Sequence, residues 1–120
     1  MSEQGVVSIQ PHERVVLAAV TRKSLDGITS GRLESEVSAA SAQEPGKVVV
    51  LDMSKVDFVP SVALGSILRL AQDLKFFGRR LIVVGVTSQV RRTMSVTRLD
   101  KVLELRATLA DALDAVAKPS

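Results

Sequence analysis

The sequence contains no cysteine, which excludes a disulfide framework, a thiolate metal site and a cysteine nucleophile. Its single histidine, His12, lies beside Pro11 near the N-terminus, and a histidine metal cluster or a Ser-His-Asp triad would depend on that one residue. The only aromatic residues are three phenylalanines, so the stacking platforms of single-strand nucleic-acid binders are scarce. We therefore expect no catalytic residue, no metal and no direct nucleic-acid binding.

Long hydrophobic runs are also missing. No apolar run reaches the roughly 18 residues that a membrane-spanning helix needs. Glu3 precedes the first apolar stretch, and no basic start or small-residue cleavage site of a signal peptide follows. We therefore expect a cytoplasmic protein without membrane insertion. The length of 120 residues predicts one domain over 1–120, with 1–13 as an edge strand or flexible N-terminus and 118–120 as a tail.

The charge is unevenly distributed along the chain. Sixteen Lys and Arg against 13 Asp and Glu give a net charge of +3. Segment 79–106 holds seven basic and two acidic residues and so carries +5, while the remainder carries −2. A solvated basic face explains this excess. The alternative is that the segment faces an acidic subunit or an anionic headgroup.

Two hydrophobic patterns alternate along the chain. Continuous apolar runs, which predict buried strands, occupy 15–20, 47–52 and 80–86, and 102–105 is predicted to form a short strand. Amphipathic patterns predict helices that follow Asp26, Ser61, Ser88 and Thr108. Gly78 is predicted to end the second helix in the left-handed conformation. The alternation predicts an α/β fold in which a mostly parallel sheet of four or five strands packs against about four helices.

Nucleotide-binding motifs are absent. Neither a G-x-G-x-x-G after a strand nor a phosphate-binding P-loop occurs, and we interpret 85–88 as a plain turn rather than an anion cradle. Asp52 ends a predicted strand, at the sheet edge where ligands of α/β proteins bind. We interpret it as a loop-capping residue in preference to a catalytic one. We therefore expect a protein that is not an enzyme and has no cofactor.

Ser61 follows Pro60 at the predicted start of the second helix. Its hydroxyl can cap that helix, a contribution of about 1 kcal/mol. The same position also suits a phosphate, because the negative charge would meet the positive end of the helix dipole. The residues alone leave both roles open. The preceding connection is unusually apolar, and its Val56 and Phe58 either fill the core or form an exposed docking surface.

Several short features follow one another at regular spacing between residues 48 and 105. They are Leu51-Asp52, Ser61 to Leu68, Gly78-Arg79-Arg80, Leu81 to Gly85, Val90-Arg91-Arg92 and Leu99-Asp100-Lys101. In this order the segment 48–105 resembles the STAS domain, the fold of bacterial anti-sigma-factor antagonists. Leu25-Asp26 resembles the opening of the family's first helix, so the resemblance extends over nearly the whole chain and implies a STAS-like fold.

The resemblance implies partner switching in a signalling pathway that regulates transcription. Such antagonists bind an anti-sigma factor, often a serine kinase with a histidine-kinase-like ATP-binding fold, and thereby release a sigma factor. Phosphorylation of a serine at the head of this helix breaks the complex, and Ser61 is the matching phosphorylation candidate. The implied partner-binding surface consists of Asp57, Phe58, Val59, Pro60, Ser61 and Val62. A homodimer is left open.

Two positions depart from the family pattern. Pro60 stands where the family has Asp, and Ala63 where it has Gly. Pro60 removes a carboxylate and an N–H donor from beside the serine, so constitutive partner binding is an alternative to a phosphorylation switch. Ser54 and Ser66 are alternative phosphorylation sites, but no feature of the sequence favours either of them. A second family role is a non-phosphorylated STAS subunit or scaffold of a lipid or anion transport system or a larger signalling assembly.

Overall fold

One five-stranded sheet organises the fold. The computed structural model describes residues 5–117, so residues 1–4 of the predicted N-terminal segment and the predicted tail 118–120 lie outside the described residues. The strands are β1 (Val7–Pro11), β2 (Val15–Val20), β3 (Val48–Asp52), β4 (Leu81–Val84) and β5 (Glu104–Arg106), adjacent in that order. β1 is antiparallel to β2 and all other neighbours are parallel, which confirms the predicted mostly parallel sheet.

Helices cover both faces of this sheet. Within residues 5–117 they are α1 (Gly27–Gln43), α2 (Ser61–Phe76), α3 (Ser88–Val96) and α4 (Leu109–Ala117), with a 3-10 turn at Leu99–Lys101. Leu33, Ile67 and Met94 bring α1, α2 and α3 together on one face. Ala112 of α4 packs on the other face. The predicted α/β architecture with four helices is therefore confirmed.

The continuous apolar run of β3 is explained by burial on both sides. Val49 and Leu51 lie in the core beneath α1, α2 and α3, whereas Val50 lies in the core beneath α4. All three side chains are fully buried. Alternate residues of a strand point to opposite faces, so a strand covered by helices on both faces has no place for polar side chains.

Two predicted helix ends are present as local hydrogen-bond motifs. At the start of α1, the Thr29 N–H donates to Asp26 Oδ1 at 2.8 Å, and the Asp26 N–H donates to Thr29 Oγ1 at 2.8 Å. The Thr29 N–H is also the main reason that the pKa of Asp26 is lowered. At the end of α2, Gly78 adopts a φ of +73°, and the Arg79 N–H donates to the Leu74 carbonyl at 2.7 Å. This is the Schellman arrangement, which satisfies the last carbonyls of the helix.

Three of the boundaries that differ from the sequence prediction have a clear local cause. β4 ends at Val84 because Gly85, with a φ of +70°, turns the chain. The cap of α3 is Thr87 rather than Ser88, since Thr87 Oγ1 accepts the Val90 N–H at 3.3 Å. β5 begins at Glu104 rather than at residue 102, because the backbone before it is still engaged in the 3-10 turn.

Arg98 is the one non-glycine residue with a positive φ, +62°, in the described part of the chain. The left-handed conformation costs an L-residue roughly 1–2 kcal/mol, and glycine avoids this but loses about 0.5–1 kcal/mol of backbone entropy. We therefore expect Arg98→Gly to raise the free energy of unfolding by about 0.5–1 kcal/mol in urea titrations. Arg98→Val should lower it, because a β-branched side chain tolerates this conformation worst. If Arg98→Gly were less stable than the wild type, the left-handed conformation of Arg98 would not be a source of strain.

Glu104, the first residue of β5, forms a bidentate ion pair with Arg80, which immediately precedes β4. Its carboxylate accepts hydrogen bonds from Arg80 Nε at 2.7 Å and Arg80 Nη2 at 2.5 Å, and from Arg106 Nη2 at 3.1 Å. The hydrogen bonds from Arg80 are the main cause of a lowered pKa for Glu104. This geometry is stronger than that of an ordinary surface pair, because two parallel bonds fix the guanidinium.

The lowered pKa of Glu104 predicts a pH-dependent contribution to stability. Because the folded pKa lies below the unfolded one, the contribution is present above the ordinary pKa of about 4.3 and is lost as the pH falls through the folded value. We expect Glu104→Gln to lower the free energy of unfolding at neutral pH by about 1 kcal/mol, and this difference to shrink in acid. Urea titrations across pH measure it, with Glu13→Gln as an exposed control. If the difference in unfolding free energy were constant with pH, the lowered pKa of Glu104 would not contribute to stability.

Candidate functional site

The connection between β3 and α2, segment 53–60, is bound to the neighbouring connection between β2 and α1. The Asp57 N–H donates to the Lys23 carbonyl at 2.7 Å, and the Leu25 N–H donates to the Phe58 carbonyl at 3.3 Å. These bonds form a short parallel bridge outside the main sheet. Because β2 and β3 are parallel, both connections leave the same edge of the sheet, so the starts of α1 and α2 lie at one end of the molecule.

The other side of segment 53–60 is bound to β4 and the start of α3. The Met53 N–H donates to the Val84 carbonyl at 3.0 Å, and Thr87 Oγ1 donates to the Val56 carbonyl at 3.3 Å. The side chains of Met53 and Val56 are fully buried. The segment is therefore an ordered loop with its own contribution to the core.

Asp52 closes the turn at the start of this loop. Its Oδ1 accepts the Ser54 N–H at 2.9 Å. The same oxygen lies 3.0 Å from the position that a Cβ at residue 85 would occupy, so Gly85 leaves room for the turn in addition to its positive φ. The carboxylate thus acts as a backbone acceptor, which is the role of a loop cap.

The apolar residues of the loop divide between core and surface. Val56 and Val59 are buried, whereas Phe58 is 57% exposed and Val62 is 52% exposed. The sequence left open whether Val56 and Phe58 fill the core or form a docking surface. In the structure Val56 lies in the core and Phe58 lies on the surface. The assignment of Val59 to the partner-binding surface is corrected, because its side chain packs inside. Asp57, Phe58, Pro60, Ser61 and Val62 remain, and we call them the loop–helix surface.

Ser61 is the first residue of α2 and does not cap it. The cap position belongs to Pro60, with φ −72° and ψ 167°, and no side chain caps this helix. The interpretation of Ser61 as a capping hydroxyl is therefore wrong, because the residue lies inside the first turn and not before it. Ser61 is exposed, and its hydroxyl makes no hydrogen bond to any part of the chain that the structure describes.

The backbone around Ser61 is electropositive. The Ala63 and Leu64 N–H groups both donate to the Pro60 carbonyl at 3.0 Å, whereas the N–H groups of Ser61 and Val62 have no acceptor within residues 5–117. The first turn of α2 carries no acidic side chain. A negative charge on the Ser61 oxygen would meet the positive end of the helix dipole and two free donors.

The two other hydroxyls considered from the sequence differ in access. Ser66 is 2% exposed, and its Oγ accepts a hydrogen bond from Arg69 Nη2 at 3.3 Å. Ser54 is exposed, and its backbone N–H is held by Asp52. Burial therefore removes Ser66 from the accessible hydroxyls and leaves Ser61 and Ser54.

Ile28 is a surface residue that the sequence reasoning missed. It is 77% exposed in the first turn of α1, at the same end of the molecule as Ser61. The buried stripe of α1 runs through Ser30, Leu33, Val37 and Ser41. The helical period could have found Ile28, because it lies off this stripe and is nevertheless large and apolar.

The described residues offer little for other kinds of site. Across residues 5–117 there is no group of three or more His, Asp or Glu side chains that could hold a metal ion. No helix within that range is long and apolar enough to cross a membrane. The loop–helix surface is instead an exposed apolar area around a free hydroxyl, which is a feature of protein interfaces.

Comparisons with known proteins agree with this geometry. The STAS domain model matches residues 7–112. The anti-sigma-F factor antagonist RsfB of Mycobacterium tuberculosis is 32% identical over 114 residues, which cover 92% of this chain and 88% of RsfB. The crystal structure of an anti-sigma factor antagonist from Mycobacterium paratuberculosis is 31% identical, covers 93% of both chains and has a TM-score of 0.80.

A more distant structure shares the fold alone. The anti-sigma-factor antagonist (STAS) domain protein from Planctomyces limnophilus has a TM-score of 0.81 at 18% identity, covering 95% of this chain and 99% of that one. The family match spans most of the described residues, and the mycobacterial relatives extend over nearly all of both chains. This chain therefore belongs to the STAS domain family, and its two mycobacterial relatives are named anti-sigma factor antagonists.

Proposed function

We propose that this protein is an anti-sigma factor antagonist that binds an anti-sigma factor through the loop–helix surface. The relationship to RsfB, which is named for such an activity, supports this role. The observation that carries the proposal is the exposure of Phe58 and Val62 on either side of Ser61. Apolar side chains on a hydrogen-bonded loop lose little entropy on binding, and such anchors supply most of the energy of an interface.

The proposed partner is a serine kinase with a histidine-kinase-like ATP-binding fold, and the proposed switch is phosphorylation of Ser61. The hydroxyl is exposed and unbonded, so a kinase can reach it without breaking a helix cap. A phosphate there would add charge at the positive end of α2 and would cost the fold little. The same charge would have to lose water between Phe58 and Val62 when the partner binds, and this opposes the complex.

Pro60 is compatible with this switch. Its carbonyl accepts the Leu64 N–H in the first regular bond of the helix and also accepts the Ala63 N–H, one of the donors that a capping side chain would otherwise satisfy. The ring restricts φ and keeps the entry to α2 rigid. Pro60 therefore leaves the Ser61 hydroxyl available for modification. A cytoplasmic location, expected from the sequence, is part of the same proposal.

The phosphorylation switch predicts that Ser61→Glu weakens binding to the purified anti-sigma factor. We expect an increase in Kd of at least about tenfold, equivalent to 1.4 kcal/mol, because a carboxylate is desolvated in the interface. Isothermal titration calorimetry measures it, with Ser54→Glu as a control that adds the same charge to the loop preceding α2. Ser61→Ala should bind like the wild type and resist release when ATP is added. Equal affinities for wild type and Ser61→Glu would remove Ser61 from the mechanism.

The division of the loop into core and surface predicts two different phenotypes. Phe58→Ser should weaken partner binding by at least about tenfold and leave the unfolding free energy almost unchanged, because the ring is 57% exposed. Val56→Ala should lower the free energy of unfolding by about 2 kcal/mol, because it leaves a cavity. Calorimetric titration and urea denaturation of both variants separate the effects. Normal binding by a folded Phe58→Ser variant would exclude this ring as an anchor.

A further inference from the structure

The turn after α2 carries an exposed aromatic pair between basic residues. Phe76 is 83% exposed and Phe77 is 73% exposed, and their ring centroids lie 5.2 Å apart in an edge-to-face arrangement. Lys75 precedes the pair, and Arg79 and Arg80 follow Gly78. Two of the three phenylalanines of the chain are thus in contact with water and have cations on both sides. Large neighbouring apolar side chains in this situation indicate a binding surface.

The aromatic pair is held on a rigid turn. The Gly78 N–H donates to the Lys75 carbonyl at 2.9 Å, and the Arg79 N–H donates to the Leu74 carbonyl at 2.7 Å. Leu74, immediately before the turn, is buried in the core. The two rings therefore project from a preformed support, and their docking does not require the backbone to become ordered.

The segment between the 3-10 turn and β5 lies beside the end of α2 and adds to the exposed area there. Lys75, Arg79, Val102 and Glu104 line one groove of about 400 Å³ between α2 and the segment that leads into β5. Arg79 also lines the neighbouring groove, together with Phe77. Val102 is 64% exposed, and Lys101 beside it is exposed as well. We call Lys75, Phe76, Phe77, Arg79, Lys101 and Val102 the helix-end surface.

The cations of the helix-end surface are largely free. Lys75 and Lys101 form no ion pair with any part of the chain between residues 5 and 117. Arg79 donates one hydrogen bond, from Nη1 to Ser41 Oγ at 3.0 Å, and has no carboxylate partner in that range. Asp73 and Asp100 are the acidic neighbours in sequence, and Glu104, which lines the same groove, is paired with Arg80 and Arg106. With this paired group set aside, three cations outnumber two anions. Charge complementarity therefore calls for an anionic partner.

We propose that the helix-end surface docks the protein peripherally on an anionic lipid bilayer. Phenylalanine rings enter the boundary between headgroups and acyl chains, while flanking Lys and Arg side chains reach the lipid phosphates. A second copy of this chain would oppose cation to cation. A bilayer requires no complementary shape, which suits rings that project from a single turn, whereas a stable protein interface buries about 1,200 Å² or more.

The proposed orientation keeps the loop–helix surface accessible. α2 spans 16 residues, with Ser61 at its start and Phe76 at its end. A helix of that length is about 24 Å long, so the bilayer would lie at the end of the protein opposite Ser61. Lipid docking and partner binding therefore use different surfaces and can fail independently.

Co-sedimentation with lipid vesicles tests the proposal. We expect the purified protein to pellet with vesicles of equal parts phosphatidylcholine and phosphatidylglycerol, and not with phosphatidylcholine alone. Added salt should weaken the binding. The double variant Phe76→Ser, Phe77→Ser should lower the partition coefficient by about tenfold or more, and Lys75→Glu should lower it as well. Ile28→Ser, which removes a 77% exposed side chain at the opposite end, and Ser61→Glu should bind vesicles like the wild type.

Several outcomes would overturn the proposal. They are no pelleting with the mixed vesicles, equal pelleting with neutral vesicles, and full binding by a double variant whose thermal unfolding matches the wild type. A dimer seen by analytical ultracentrifugation without lipid, and lost in the same double variant, would assign the surface to a second copy instead. Calorimetric titration of the double variant with the anti-sigma factor should give the wild-type affinity, which distinguishes failure of lipid docking from failure of the proposed partner binding.

Discussion

Burial of β3 on both faces of the sheet is the constraint from which the geometry of the site follows. Because Val49, Val50 and Leu51 are fully enclosed, the strand has one register and ends at a defined point. Asp52 then closes the turn against Gly85, and segment 53–60 is bound on one side to the backbone of Lys23. The hydrogen bonds that hold segment 53–60 therefore connect the end of β3 to the start of α2 and fix the position of Ser61.

The start of α2 has an arrangement in which stability and modification do not compete. In a helix capped by a serine side chain, the phosphate oxygens would have to replace the hydroxyl as acceptor of the capping hydrogen bond. Here the Pro60 carbonyl accepts the N–H groups of Ala63 and Leu64, and the Ser61 hydroxyl has no structural task. A regulatory modification at this position can therefore act on a bound partner while the fold stays intact.

α2 joins two surfaces of different chemistry. Its start presents Phe58 and Val62 around a hydroxyl at the positive end of the helix dipole. Its end presents Phe76 and Phe77 between cations on a Schellman turn. Buried residues such as Ile67 pack the helix that joins the two surfaces against the sheet. Under the two proposals, the protein would be positioned at one end of α2 and switched at the other.

Local features were predictable from the sequence because they depend on neighbouring residues. The alternation of strands and helices, the capping role of Asp26 and the left-handed Gly78 follow from apolar periodicity, a side chain that reaches the backbone three residues ahead, and the absence of a Cβ. The predicted cap of α3 was wrong because serine is the preferred capping type, whereas the structure uses the adjacent Thr87. The predicted start of β5 was too early because a 3-10 turn precedes the strand.

The sequence by itself determined the order of the elements, the α/β class and the region of the site, since these rest on patterns within each segment. Only the tertiary structure decided which side of the loop each residue occupies. Val59 and Phe58 are adjacent and both apolar, yet contacts with distant segments bury one and expose the other. In the same way, Arg80 is neutralised by Glu104, 24 residues away, and Lys75 is not. Long-range packing sets burial and charge pairing, and no local pattern encodes it.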